Sequence, residues 1–127
     1  MKLAQFALLV PDYDEAIDYY CTVLGFSLLE DTQQSPEKRW VVVSPGEGGS
    51  AILLAKAADE AQRAQIGNQA GGRVFLFLNS DDFDADYQRL KKNGVEFLEV
   101  PRHEPYGSVV VFRDRFGNKW DLIEPKS

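Results

Sequence analysis

Short apolar blocks separated by polar turns run the length of the chain, and they predict strands with helices set between them. Residues 3 to 10, LAQFALLV, are apolar except for Gln5 and predict a buried strand. Asp12-Tyr13-Asp14-Glu15 follows, and acidic side chains suit a helix N-terminus, where aligned peptide dipoles favour negative charge. Ile17, Tyr20 and Leu24 then recur at helical spacing, and Gly25 ends the helix. Strands are expected over residues 26 to 29, 39 to 43 and 51 to 55, parted by the turns at Gln33-Gln34-Ser35-Pro36 and Pro45-Gly46-Glu47-Gly48-Gly49.

Residues 56 to 71 break this pattern. The stretch from 56 to 66 is rich in Ala and Gln and suits a short helix, bracketed by Gly67 and Gly71-Gly72. It reads as a linker between a first repeat of about residues 1 to 55 and a second of about 72 to 127. The pattern then recurs. A strand is expected over 73 to 78, a helix from Asp81-Asp82 carrying Phe83, Tyr87 and Leu90 to its end at Gly94, and a strand over 95 to 100. After Pro101 and Pro105, a strand over 108 to 112, a tight turn at Asp114-Arg115-Phe116-Gly117-Asn118 and a last strand over 119 to 124 complete the chain. Alternation places Trp120, Leu122 and Glu124 on one face of that strand and Asp121 and Ile123 on the other. The same interval separates Gly25 from Gly94 and Asp12 from Asp81, which marks a duplicated unit. The expected fold class is α+β: two tandem βαβββ repeats in one domain, 1 to 127, forming an open half-barrel with a concave sheet suited to a small ligand.

The chain has 127 residues and a formal net charge of −6. That suits one domain with a real core, and an acidic surface without a Lys/Arg block repels phosphate backbones, so nucleic acid is not an expected partner. No apolar run approaches the ~20 residues of a membrane span, and no secretory leader is read at the N-terminus. Cys21 is the only cysteine, which rules out an intrachain disulfide and fits a cytoplasmic protein. No histidine stands near it to serve as a base, so it reads as a helical packing residue.

Val10-Pro11-Asp12, Ala16-Ile17-Asp18-Tyr19-Tyr20, Leu24-Gly25-Phe26, Tyr106-Gly107 and the run Phe112, Asp114, Gly117-Asn118, Trp120, Leu122-Ile123-Glu124 together resemble the vicinal oxygen chelate superfamily. That group includes glyoxalase I, extradiol dioxygenases, fosfomycin-resistance enzymes and bleomycin-resistance proteins. The resemblance spans essentially the whole chain, and its most specific part is the Asp114–Asn118 turn, where Arg115 replaces the family's proline. It implies a homodimer, as single-domain members commonly pair. The apolar character of both faces of the first strand (Leu3, Phe6, Leu8, Val10) agrees with an interface.

Metal-dependent relatives draw their ligands from four strands. The resemblance places those positions on Gln5, Leu53, Arg73 and Asp121. Gln5 and Asp121 carry donors, Leu53 carries none, and Arg73 is a permanent cation, so no metal and no other cofactor is expected. His103 falls outside the set, in a loop. Arg73 has two readings: a structural ion pair with Asp121, or a positive centre that receives a ligand's oxygen in the metal's place. Strand alternation puts Phe75 and Phe77 beside Arg73 as aromatic walls, and Trp40 is a further strand aromatic. Tyr106 is either a lid over the ligand or a turn anchor. The ligand-binding candidates are therefore Gln5, Trp40, Leu53, Arg73, Phe75, Phe77, Tyr106 and Asp121.

The expected function is metal-free binding of a small organic, possibly anionic, molecule. The alternative is a lyase, isomerase or dioxygenase with an unusual or absent metal site, with Arg73, Asp121 and Glu124 as candidate catalytic groups; glyoxalase I activity itself is not expected.

Overall fold

The structure, a computed structural model, describes residues 1–126. The chain divides into two compact units, Met1–Ile66 and Gly67–Ser127.

In the first unit, β1 (Gln5–Val10) leads into α1 (Tyr13–Ile17), which runs on as a π-helical segment, Asp18–Val23. Asp12 caps α1 by accepting the Glu15 N–H at 2.9 Å. The widened turn shows in the Leu24 N–H, which donates to the Tyr19 carbonyl at 3.1 Å, and Gly25 then leaves the helix at φ +84°. Strands β2 (Ser27–Gln33), β3 (Arg39–Ser44) and β4 (Ala51–Lys56) follow, and α2 (Glu60–Ala64) closes the unit. The sheet order is β1-β4-β3-β2, with β1 parallel to β4 and the other pairs antiparallel. Register partners Leu8, Leu54 and Val41, with Ile52 and Val43, are fully or almost fully buried, as are Ala16 and Tyr20 of the helical segment. They form this unit's core.

The second unit repeats the topology. β5 (Val74–Asn79), α3 (Phe83–Lys92), β6 (Glu96–Phe97), β7 (Arg102–Glu104), β8 (Gly107–Arg113) and β9 (Lys119–Pro125) build a sheet ordered β5-β9-β8-β6, with β7 also on β8 and β5 parallel to β9. Its core stacks Phe112 on Trp120 with ring centroids 5.8 Å apart, with Phe83 and Leu90 of α3 also buried.

The turn ahead of β9 is held by a buried carboxylate. Asp114 accepts the backbone N–H groups of Phe116 (2.9 Å) and Asn118 (3.0 Å), the Asn118 side-chain amide (3.0 Å) and the Trp120 indole N–H (2.9 Å). These contacts explain why Asp, Asn and Trp stand together in the sequence: the carboxylate of the first takes what the others donate.

Three expectations change. The strand expected over 95 to 100 is only Glu96–Phe97; the edge breaks before Pro101, which has no N–H to give a ladder, and resumes as β7. Asp82, not Asp81, caps α3, accepting the Ala85 N–H at 3.2 Å, so the interval from the first helix cap is one residue longer than the sequence suggests. The extra residue is absorbed as a register shift in β5 between Val74 and Leu76. Finally, Glu37, Lys38 and Arg39 read by sequence as a mixed charge cluster at the surface, but Arg39 is not a loose charge. Its guanidinium holds Asp31 through two bonds (3.0 and 2.7 Å) and Asp14 at 2.9 Å, and it lies 5.3 Å from the centre of the Tyr13 ring, tying α1 to the sheet. Those partners raise its proton affinity further, Asp31 foremost, and Arg39 in turn lowers that of Asp31.

Candidate functional site

A cavity of about 650 Å³ opens in the first unit, where β3 begins and β4 ends. Register defines its wall. Val42 pairs with Leu53 while Val41 pairs with Leu54, so Trp40, Val42, Leu53 and Ala55 share the sheet face turned away from the buried Leu8–Leu54–Val41 row. Trp40, Leu53 and Ala55 line the cavity together with Tyr13, and Trp40 is half-buried there. Its mouth carries Lys38, Arg39, Lys56 and Arg63 against the single acid Glu37. The volume falls in the range of small-ligand sites, ~300–1,000 Å³. Gln5 opens β1 opposite Ala51 and does not line this cavity.

The second unit presents an open sheet face of its own. Asp121 is opposite Phe77 on one side and Val111 on the other, while Trp120, Leu122 and Glu124 point to the α3 side. Phe77 is 66 % exposed. Arg102 is opposite Val109, which shares the Asp121 face, and its guanidinium grips both Glu99 oxygens (3.1 and 3.0 Å) and reaches Glu104 at 3.3 Å. Glu99 and then the Tyr106 hydroxyl hold Arg102 more firmly protonated than usual. Burial raises the proton affinity of Asp121, which Arg102 opposes and Glu99 reinforces. Tyr106 itself is exposed.

The strand candidates of each unit fall on that unit's own sheet. Trp40 and Leu53 come together in one cavity. Phe77 and Asp121 come together on another face. Arg73 lies ahead of β5 in a turn, its N–H on the Ala70 carbonyl at 3.3 Å, with its side chain exposed. Among the described residues no ion pair joins Arg73 to Asp121; the cation that acts on Asp121 is Arg102. The expected alternation of Arg73, Phe75 and Phe77 on one face is interrupted by the β5 register shift. Glu124 lies on the opposite face from Asp121, and its carboxylate accepts the Phe83 N–H at 2.9 Å at the start of α3. Glu124 also lines a cavity of about 320 Å³ with His103 and Ser108, whose Nδ1 and Oγ are 2.9 Å apart.

Sequence reasoning missed Arg102 and the His103–Ser108 pair. Pro101 and Pro105 made this stretch read as loop, while Arg102-His103-Glu104 in fact alternates across a short strand. Cys21 is only partly exposed, and burial raises its thiol's proton affinity, which disfavours the thiolate a nucleophile needs.

The positions implied for a metal do not fit one. By strand register, Ala7 opposite Leu53 matches Phe77 opposite Asp121, and Gln5 opposite Ala51 matches Val74 opposite Lys119, so the counterpart of Gln5 is Val74 rather than Arg73. Each unit then offers one oxygen donor, Gln5 or Asp121, and one side chain with no donor at all, Leu53 or Val74. Neither half can supply the two donors expected of it.

Two βαβββ units, each with its own sheet in the same strand order, define the class of fold. The family model described as Glyoxalase/Bleomycin resistance protein/Dioxygenase superfamily matches residues 2–122, and the chain belongs to that superfamily. A protein from Shewanella frigidimarina is 54 % identical over 97 % of this chain and 93 % of its own. Among solved structures, UcmS2 is 29 % identical with a TM-score of 0.84, covering 98 % of both chains. TnmS3, described as an antibiotic binding protein from Streptomyces sp. CB03234, is 30 % identical with a TM-score of 0.79, covering 99 % of this chain and 97 % of its own.

Proposed function

We propose that this protein binds a small organic molecule without transforming it, and that Trp40 and Leu53 form the apolar wall that receives it. The observation that carries this reading is the cavity of about 650 Å³ at those two residues. An indole face and branched aliphatic carbons favour a flat apolar group and provide no nucleophile or general base. The description of TnmS3 as an antibiotic binding protein points the same way. Neither catalytic candidate reinforces the other, since Asp121 and Glu124 lie on opposite faces of β9. The binding needs no resident metal or cofactor.

We further read the protein as a cytoplasmic homodimer. The single cysteine supports the compartment. No helix among the described residues is long and apolar enough to cross a membrane. Exposed Leu3, Leu28 and Leu29 in the first unit supply apolar surface for a second copy to cover.

Equilibrium dialysis against a panel of flat aromatic compounds, with light scattering on the same samples, tests both statements. One equivalent should bind per chain and be recovered unchanged, on a particle of twice 14.3 kDa. Trp40→Ala should weaken binding by about tenfold or more, the value of a lost aromatic contact. Chemical conversion of a bound compound would overturn the binding reading, and a monomer at micromolar concentration would overturn the dimer.

A further inference from the structure

The cavity of the first unit is charged against the trend of the molecule. The chain carries a net charge of −6, yet Lys38, Arg39, Lys56 and Arg63 line this cavity and only Glu37 opposes them. Two of the four cations are already engaged. Arg39 is held by Asp14 and Asp31, and Arg63 pairs with Glu60 at 3.1 Å. Lys38 and Lys56 take part in no ion pair among the described residues, and both side chains are exposed at the mouth. Lys38 and Lys56 thus line the same cavity as Trp40 and Leu53, and neither is engaged in an ion pair among the described residues. Asp14 and Asp31 are spent on Arg39 and Glu60 on Arg63, which leaves the two lysines as the cations open to a ligand.

We propose that the ligand is an organic anion: a flat apolar body against Trp40 and Leu53, carrying an acidic group that Lys56 and Lys38 meet at the mouth. This rests on the binding reading above and names the class of molecule within it. It also assigns the positive centre of the site to two lysines, where one of the two sequence readings of Arg73 had put it on that residue. Lysine suits the role: its ammonium is a mobile point charge that can follow a carboxylate or sulfonate without demanding the planar geometry of a guanidinium.

Two fluorescent probes that differ by one group test the inference: 1-anilinonaphthalene-8-sulfonate and its neutral parent N-phenyl-1-naphthylamine. Titrated into the intact protein at low salt, the sulfonate should bind about tenfold tighter than the parent, the scale of one well-placed charge contact. Raising the salt to about 0.5 M should erase most of that preference, since the lysines are exposed. Lys38→Gln with Lys56→Gln should bring the two affinities together while leaving the neutral probe where it was. Lys38→Arg with Lys56→Arg should keep the preference. Trp40→Ala should weaken both probes alike. Equal binding of both probes to the parent protein, with Trp40→Ala weakening both, would overturn the anion inference and leave the binding reading standing. Binding of both probes that ignores Trp40→Ala, or no binding of either, would overturn the two together.

Discussion

A carboxyl group on a partly covered sheet face holds its proton more tightly than one in water, and Asp121 is such a group. Burial is the main cause; the Arg102 guanidinium acts against it and Glu99 acts with it. The consequence for stability has a definite sign. A carboxyl whose proton affinity is higher in the folded state binds more protons folded than unfolded, so its charge weighs against folding at neutral pH. That penalty is lost as pH falls through the raised folded value toward the ordinary 3.8. Asp121→Asn should therefore stabilise the protein at pH 7, by less than about 1 kcal/mol given solvent screening at a half-exposed site. The advantage should shrink to nothing below pH 4, on about the scale of the unfolded carboxyl's own titration. Urea melts across that range measure it, and a variant less stable than the parent at pH 7 would show that the carboxylate is held by a favourable partner instead. Residues of this kind were only half legible in the sequence. Asp121 could be placed on a face by counting from Trp120, but the cation beside it could not, because Arg102 reaches Asp121 only through a strand that two prolines concealed.

Elements differed in how openly the chain declared them. β1, β3, β4, β8 and β9 are apolar or alternate cleanly, and each forms where its pattern says. β2 runs past the expected end at residue 29 and takes in Gln33, the first residue of the expected turn; polar Glu30, Asp31 and Thr32 form strand because β3 offers a ladder and Arg39 a partner for Asp31. The register shift in β5 and the π-helical segment after α1 have no local signature at all; both are one-residue accommodations that only packing reveals. Glycine placement was more informative, and two positions make the point quantitative. Gly94 leaves α3 at φ +84° with open space where a Cβ would stand, so Gly94→Ala should cost about 1 kcal/mol, the left-handed penalty alone. Gly67, at φ +76°, approaches the Asp114–Asn118 turn so closely that a Cβ would strike the Phe116 carbonyl oxygen and come within 3.1 Å of the Gly117 Cα. Backbone cannot turn aside as a side chain can, so Gly67→Ala should cost roughly 3 kcal/mol or more. Denaturant midpoints of the two variants compare them directly. Equal losses would mean that the turn is free to move.

At the scale of the whole molecule, the superfamily's architecture was legible because it is written twice, while the use made of it was not. Duplication fixes topology; it does not fix which side chains keep a donor atom. Gln5 and Asp121 each carry an oxygen donor, one in each unit, while Leu53 and Val74 at the other implied positions carry none. A divalent ion bound by two oxygens keeps most of its water and gains little over solution, whereas a full set of protein donors binds tightly enough to stabilise the fold by mass action. Micromolar Zn²⁺, Ni²⁺, Mn²⁺ or Fe²⁺ should accordingly leave the melting temperature unchanged within about 1 °C, because a ligand that does not saturate the native state adds no stability. The control is the donor pair itself. Gln5→Ala and Asp121→Ala should make no difference to any response that metal does produce, since weak responses would come from surface carboxylates spread over an acidic chain. A rise of several degrees with one of these ions, lost in either variant, would restore metal chemistry to this protein and require ligands that neither half supplies at the implied positions.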